Sequence, residues 1–189
     1  MMSEDLRIKK TKLAIRTTFL ELLAKKPLKK ITVSEIIQTA QINRGTFYAH
    51  YLDKYDLLEK IEVEVGAEFS EALQNINSTS LQDNWEQGDS FSHMLPILDY
   101  VEQNKSLFKL MAENKLGNSW FDKIVSQYFQ KLFPSNQPDD VWLKYKQDVL
   151  KASIIATANR WILGGCSEDK EDLAAWMTET EQLILFEHS

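Results

Sequence analysis

The sequence has little cysteine, proline or glycine. Cys166 is the only cysteine among 189 residues, so the chain cannot form an internal disulfide, and it fits a reducing compartment. With 6 glycines and 4 prolines, long stretches are free of helix breakers. No stretch shows the sustained alternation of apolar and polar residues that is typical of a half-buried strand. These absences predict an all-α fold.

Long apolar runs are missing as well. A membrane-spanning helix needs about 20 apolar residues, and no run in the sequence approaches that length. The N-terminus is charged and lacks an apolar signal core. We therefore expect a cytoplasmic protein with no membrane partner. The length suits one large domain or two small ones.

Residue types that perform catalysis or bind metal are scattered. His50, His93 and His188 are far apart in the sequence and form no HExxH motif, and no glycine-rich phosphate loop follows a strand. Cys166 has no partner in a CxxC motif. We therefore expect no catalytic residue, no metal site, no cofactor and no enzymatic activity.

Residues 32–54 predict two short helices joined by a tight turn. Thr32, followed three residues later by Glu35, is a capping box that marks a helix start. Asn43 is a favourable N-cap for a second helix, in which Phe47 and Tyr51 lie one turn apart on the buried side. The outward-facing side chains of that helix are then Arg44, Thr46, Tyr48 and His50. This arrangement predicts a helix-turn-helix with a recognition helix.

The net charge of −6 hides an uneven distribution. Residues 1–60 hold 12 Lys/Arg and 7 Asp/Glu, whereas residues 61–189 hold 10 and 21. The excess of positive charge coincides with the helix-turn-helix, where neutralisation of DNA phosphates would use it. The alternative, that each charged group is simply solvated, stays open for any single lysine.

The run RGTFYAHYLDKYDLL, which begins at Arg44, resembles the signature of the tetracycline-repressor (TetR) family of bacterial regulators, and the similarity covers residues 8–60. The resemblance implies about nine helices. A three-helix DNA-binding bundle would occupy residues 1–53, and a helical domain for effector binding and dimerisation would occupy residues 54–189. Relatives usually carry glycine at the position of Gln41. In a left-handed conformation Gln41 would cost about 1 kcal/mol relative to glycine.

The same resemblance implies DNA contacts at seven positions. These are Thr32, Arg44, Gly45, Thr46, Tyr48, His50 and Lys54. Arg44 is the candidate for a bidentate contact to guanine in the major groove, and Thr46 for a thymine methyl group or a phosphate. Tyr48, His50 and Lys54 are candidates for phosphate contacts, which set the register of the protein on DNA.

The last two predicted helices carry more apolar surface than one core can use. The stretch from Ala152 to Leu163 is apolar on more than one face, which fits a four-helix interface with a second copy of the chain. The resemblance implies the same homodimer, and the alternative is a larger core within one chain. The predicted interface residues are Ile154, Ile155, Ala158, Trp161, Leu173, Trp176 and Leu183.

The C-terminal two thirds are rich in aromatic residues and methionine, which suits a small-molecule site. The candidate pocket residues are Phe91, His93, Met94, Phe108, Met111, Trp120, Phe121 and Trp161. Because aromatic residues at helical spacing more often belong to a core, we expect only some of these to surround an effector.

These observations predict a dimeric transcriptional regulator that binds a pseudo-palindromic operator in double-stranded DNA. The resemblance implies a repressor, since repressors outnumber activators in this family. It also implies that an unknown small-molecule effector releases the protein from DNA. The alternative is a coactivator of the same fold that acts through protein contacts. The presence of Arg44, Tyr48, His50, Lys54 and a basic N-terminus argues against that alternative.

Overall fold

A computed structural model describes residues 2–74, 93–113, 116, 119–133 and 140–186. Within these ranges the chain forms nine α-helices and no strand, which confirms the predicted all-α fold. The helices are α1 Met2–Lys25, α2 Val33–Thr39, α3 Arg44–Tyr48, α4 Lys54–Ala72, α5 Leu95–Gln103, α6 Lys105–Ala112, α7 Ser119–Leu132, α8 Val141–Leu163 and α9 Lys170–Phe186. A 3₁₀ turn over Leu28–Lys30 lies between α1 and α2.

Two predicted helix ends differ from the structure. The recognition helix was expected to continue to Tyr51, but α3 ends at Tyr48 with Ala49 as its C-cap. Ser167 follows the glycine pair at residues 164–165 and precedes two acidic residues, a pattern that predicts Ser167 as the N-cap of the last helix. Instead the side chain of Asp169 accepts hydrogen bonds from the backbone N–H groups of Glu171 at 2.8 Å and Asp172 at 3.2 Å. The cap lies later because Gly165 and Cys166 have φ angles of 83° and 57°, which hold the chain in a turn.

Contacts group the chain into two compact units, residues 1–66 and 67–189. In the first unit, α1 to α4 surround one apolar core. Its fully buried side chains include Ile15, Phe19, Ile36, Phe47 and Leu57. The functional division predicted between residues 53 and 54 stays a prediction.

The second unit is built from α5 to α9 and the C-terminal end of α4. Its core includes Phe108, Leu150, Trp161 and Met177, each at most 4 % exposed. The glycine pair at residues 164–165 predicts a helix end, and the structure confirms it, since Gly164 is the C-cap of α8. None of the helices in the described ranges has the length and apolarity needed to cross a membrane.

Candidate nucleic-acid interface and effector site

The first helix of the helix-turn-helix begins at a side-chain cap. Thr32 Oγ1 accepts a hydrogen bond of 3.2 Å from the backbone N–H of Glu35. The Glu35 carboxylate also accepts from Lys26 Nζ at 2.6 Å. This contact is the main cause of the lowered pKa of Glu35, and the backbone N–H of Thr32 lowers that pKa further. The capping box therefore fixes the start of α2 and connects it to the end of α1.

The turn between α2 and α3 places Gln41 in the left-handed region, with a φ of 54°. The Ile42 N–H donates to the Ile37 carbonyl at 3.1 Å, and the Gln41 N–H donates to the Gln38 carbonyl at 3.3 Å. These two bonds form a Schellman motif, in which glycine is the usual residue at the Gln41 position. The chain thus makes this turn with a residue that is strained there by about 1 kcal/mol.

Asn43 caps α3 in a way that also orients Thr46. Asn43 Oδ1 accepts from the Thr46 backbone N–H at 2.7 Å and from the Thr46 hydroxyl at 2.9 Å. The hydroxyl of Thr46 is therefore used as a donor within the cap. Gly45 is exposed, and a Cβ there would lie 3.4 Å from Asn43 Oδ1. Contacts within the protein tolerate a side chain at that position, so they do not require glycine.

The exposed face of α3 is formed by Arg44 and Tyr48. Arg44 and Tyr48 lie one helical turn apart. Arg44 Cζ is 5.4 Å from the centroid of the Tyr48 ring, which is within the range of a cation–π interaction. Tyr48 is 44 % exposed, and its ring meets the buried Phe47 ring edge-on with centroids 5.5 Å apart. The guanidinium group is thus held at the surface on a rigid aromatic support.

His50 lies beyond the end of α3 and is half-buried. Its backbone carbonyl accepts a hydrogen bond of 2.9 Å from Lys60 Nζ, which also lies 3.0 Å from the Asp56 carboxylate. Asp56 in turn accepts from the Leu52 N–H at 2.8 Å. This N–H, followed by Lys60, lowers the pKa of Asp56. These contacts attach the segment after α3 to the first turns of α4.

Lys54 uses its ammonium group inside the protein. Lys54 Nζ donates to the backbone carbonyls of Leu28 at 2.9 Å, Lys29 at 3.2 Å and Ile31 at 2.7 Å. An ammonium group has three donors, so all of them have acceptors here. The phosphate contact expected for Lys54 stays a prediction, and the structure shows a second role that the sequence pattern did not suggest.

The second unit contains a cavity of about 50 Å³. Its walls are almost wholly apolar. The lining residues are Phe69, Met94, Ile97, Leu98, Val101, Phe108, Ile124, Val125, Tyr128, Ile154, Ala158, Trp161 and Met177. The part of the chain that the structure describes brings together no group of three or more side chains suited to a metal ion.

Three of the eight expected pocket residues, Met94, Phe108 and Trp161, line this cavity. Met111 and Trp120 are buried but do not line it. Phe91 and the side chain of Phe121 lie outside the described residues. The remaining wall residues are mainly aliphatic, whereas the pocket residues predicted from the sequence are aromatic side chains, His93 and two methionines.

His93, the eighth candidate, belongs to a buried polar cluster with Tyr128 and Glu181. His93 Nε2 lies 3.1 Å from Glu181 Oε2, and the Tyr128 hydroxyl donates to Glu181 Oε1 at 2.5 Å. Burial, then the charge of Glu181 and this hydrogen bond, raise the pKa of Tyr128 well above its ordinary value. Sequence reasoning missed Glu181, although its helical spacing from the buried Ala174 and Met177 places it on the inner face of α9.

The residues predicted for the dimer interface differ in their exposure. Trp161 is only 2 % exposed, and it lines the cavity together with Ile154 and Ala158. Ile154 and Ala158 are half-buried, and the contribution of these residues to a dimer interface stays a prediction. Ile155 and Leu173 are half-buried, whereas Trp176 and Leu183 are 52 % and 55 % exposed.

A different stripe of α8 faces outward. Exposed residues with small or apolar side chains recur along this helix at alternating spacings of three and four residues. They are Trp142, Tyr145, Val149, Ala152 and Ala156, and Leu163 follows seven residues later. This is the heptad spacing of a helix that packs along another helix. The stripe could not be predicted from the sequence, because the apolar residues of α8 occupy several faces and their spacing alone does not identify the outer one.

Comparison with known proteins agrees with these features. Residues 15–61 match the model of the family described as bacterial regulatory proteins, tetR family. An uncharacterized HTH-type transcriptional regulator, YxbF, of Bacillus subtilis (strain 168) is 24% identical over 113 residues. The match covers 60% of this chain and 29% of that relative, so the chain spans under a third of the relative's length.

Two solved structures share the fold. A TetR transcriptional regulator from Streptococcus agalactiae 2603V has a TM-score of 0.63 at 23% identity, covering 95% of this chain and 98% of the other. The dihydroxyacetone kinase operon activator DhaS has a TM-score of 0.51 at 20% identity, covering 93% and 96%. At these identities the likeness concerns the fold.

Proposed function

We propose that this chain, whose residues 15–61 match the tetR family of bacterial regulatory proteins, is a homodimeric transcriptional repressor that a small molecule releases from a pseudo-palindromic operator. The observation that carries the proposal is the exposed Arg44–Tyr48 pair on a recognition helix with a capped start. An exposed guanidinium on a rigid support suits bidentate recognition of guanine in the major groove.

Neighbouring groups suit the positioning of DNA. Tyr48 offers an exposed hydroxyl, and Thr32 lies exposed at the start of α2, where backbone N–H groups attract phosphate. Gly45 leaves room for the DNA backbone to approach α3 closely. The α1 residues Arg7, Lys9, Lys10 and Lys12 are exposed and add positive charge to the same unit.

Dimerisation is supported by the outer stripe of α8 and by the exposed apolar residues of α9. Trp142 is 72 % exposed and Val149 58 %, while Trp176 on α9 is 52 % exposed. An apolar stripe of this extent is typical of a protein–protein interface. A two-fold dimer would present two recognition helices, which read half-sites about 34–36 Å apart on a pseudo-palindrome.

Effector response is supported by the cavity and by α4. This helix begins at Lys54, which is bonded to the helix-turn-helix unit, and its residue Phe69 lines the cavity. A ligand that binds one conformation of the cavity more tightly would shift the population of α4 positions. The DNA-binding state would change with it.

Selection from a random pool of DNA duplexes tests the proposal, because it requires no known operator sequence. Wild-type protein should enrich a pseudo-palindrome whose half-site centres are about one helical turn apart. Arg44→Ala should lose the enrichment, whereas Lys131→Ala, which removes an exposed cation from α7, should retain it. If the wild-type protein enriches no sequence, the DNA-binding proposal is wrong and a coactivator role is favoured.

A further inference from the structure

The walls of the cavity in the second unit indicate the chemical class of molecule that fits there. We propose that the ligand is a small, uncharged, hydrocarbon-like molecule whose buried part makes no hydrogen bond with the protein. This inference rests on the proposed effector response and specifies the ligand class for that site.

Two described wall residues carry a polar side-chain atom, and both use that atom elsewhere. The Tyr128 hydroxyl donates to Glu181 Oε1 at 2.5 Å, and Glu181 does not line the cavity. Trp161 Nε1 donates to the backbone carbonyl of Glu168 at 3.3 Å, beyond the end of α8. The wall surface that these described residues form around the cavity is apolar, so Tyr128 and Trp161 contribute ring carbons to it.

The other described wall residues carry no side-chain nitrogen or oxygen, because they are aliphatic residues, phenylalanines and methionines. A hydroxyl group of a ligand would therefore lose its water partners and gain none. Such an unpaired group weakens binding by about fivefold to 150-fold, and an ion loses more because it leaves its hydration without a counter-ion. A hydrocarbon gains from burial without this cost.

The walls combine fixed rings with adaptable side chains. Phe69 and Phe108 both meet the ring of Tyr100 edge-on, with centroids 5.7 Å and 5.9 Å apart. Met94 and Met177 are flexible and can adjust to a ligand. The cavity volume of about 50 Å³ is well below the about 150 Å³ of an apolar cavity that accepts benzene. A short, flexible chain therefore fits these walls better than a rigid ring.

The test uses the full chain with isotope-labelled methionine methyl groups, observed by NMR at neutral pH. The probes are n-pentane, n-butanol and n-butylammonium, chains of equal length that end in a methyl, hydroxyl or ammonium group. We expect n-pentane to shift the Met94 and Met177 signals saturably and to bind at least about tenfold more tightly than either other probe. Met111, which is buried away from the cavity, is the internal reference. A smaller ratio, or no shift of Met94 and Met177, would overturn the proposal.

Tyr128→Phe tests whether the wall offers a hydrogen bond. Because the Tyr128 hydroxyl does not border the cavity, the variant should bind n-pentane and n-butanol within about twofold of wild type. A selective loss of n-butanol binding would show that this hydroxyl reaches the ligand, which contradicts the proposal. An unchanged Met111 signal verifies that the variant is folded.

A cavity-filling variant tests where the probe binds. Ala158→Leu places a larger side chain in the wall and should weaken n-pentane binding by at least about tenfold. Ala67→Leu, at an exposed alanine of α4, should bind n-pentane as wild type does. Wild-type affinity in a folded Ala158→Leu variant would place n-pentane outside the cavity and overturn the proposal. If Ala158→Leu does not fold, the comparison of the three probes on the wild-type protein decides alone.

These measurements contain no DNA, so the two proposals fail separately. A chain that binds n-pentane as expected but enriches no DNA sequence contradicts the regulator and leaves the ligand class intact. A chain that enriches a pseudo-palindrome but prefers n-butanol or n-butylammonium contradicts the ligand class alone.

Discussion

The Lys54 ammonium group donates a hydrogen bond of 2.7 Å to the backbone carbonyl of Ile31, the residue before the Thr32 cap. With the Leu28 and Lys29 carbonyls as further acceptors, Lys54 joins the first turn of α4 to the segment that precedes α2. A DNA phosphate would have to displace one of these carbonyls to receive a hydrogen bond from Lys54. Lys54 thus positions the helix-turn-helix on α4.

Replacement of Lys54 by methionine should destabilise the protein. We expect Lys54→Met to lower the free energy of unfolding by about 1–3 kcal/mol, because charge-assisted hydrogen bonds to three carbonyls are lost. Lys29→Met removes an exposed cation from the same turn and should change it by less than about 0.5 kcal/mol. Urea unfolding followed by circular dichroism measures both. Unchanged stability of Lys54→Met, together with a weaker salt dependence of DNA binding, would instead identify a phosphate contact.

Replacement by glycine should change the free energy of unfolding in opposite directions at Gln41 and Gln38, because Gln41 has a left-handed backbone and Gln38 lies in a helix. Gln41→Gly should raise the free energy of unfolding by about 1 kcal/mol, since glycine adopts a positive φ without strain. Gln38→Gly, in the last turn of α2, should lower it by up to about 1 kcal/mol, because glycine is a poor helix former. Thermal and urea unfolding of the two variants check the signs. Destabilisation by Gln41→Gly would show that the turn does not strain the glutamine.

Glu181 holds two buried donors, and its removal should be costly. Glu181→Ala leaves the Tyr128 hydroxyl and His93 Nε2 without their shared acceptor. We expect a loss of about 3 kcal/mol or more in the free energy of unfolding. Glu179→Ala, on the exposed face of the same helix, should stay within about 0.5 kcal/mol of wild type. Urea unfolding measures both variants. A small change in the free energy of unfolding for Glu181→Ala would show that water reaches the cluster and replaces the carboxylate as the acceptor.

The outer stripe of α8 predicts where a charge prevents dimerisation. Val149→Asp should weaken the dimer by about 2 kcal/mol or more, roughly 30-fold in Kd, because it would bury a carboxylate in the interface. Val63→Asp is a matched control, since Val63 is also an exposed valine on a long helix, at 67 % against 58 % for Val149. Sedimentation equilibrium measures both variants. Equal effects, or none, would place the interface elsewhere.

The elements with short-range signals could be predicted from the sequence. Thr32 and Asn43 mark helix starts through local hydrogen bonds, and each accepts the bond expected of an N-cap in the structure. The structure also shows the left-handed backbone considered for Gln41, with a φ of 54°. Local chemistry thus determined α2, α3 and their connection.

Features that depend on distant contacts could not be predicted. Lys54 meets carbonyls more than twenty residues earlier in the chain, and Glu181 meets His93 at a separation of 88 residues. Trp161 fitted a core or an interface equally well, since helical spacing shows that a residue lies on an apolar face without showing what covers that face. The cavity walls likewise require the tertiary packing of aliphatic residues from several helices.

The affinity of Arg44→Ala for the selected DNA duplex tests the central claim most directly. Fluorescence anisotropy should show weaker binding by about 1–3 kcal/mol per half-site, because each recognition helix loses its guanine contact. Binding to an unrelated duplex should fall far less, and Lys131→Ala should bind the selected duplex as wild type does. If Arg44→Ala binds the selected duplex with wild-type affinity, α3 does not read its sequence, and the account of this protein as a DNA-reading regulator is contradicted.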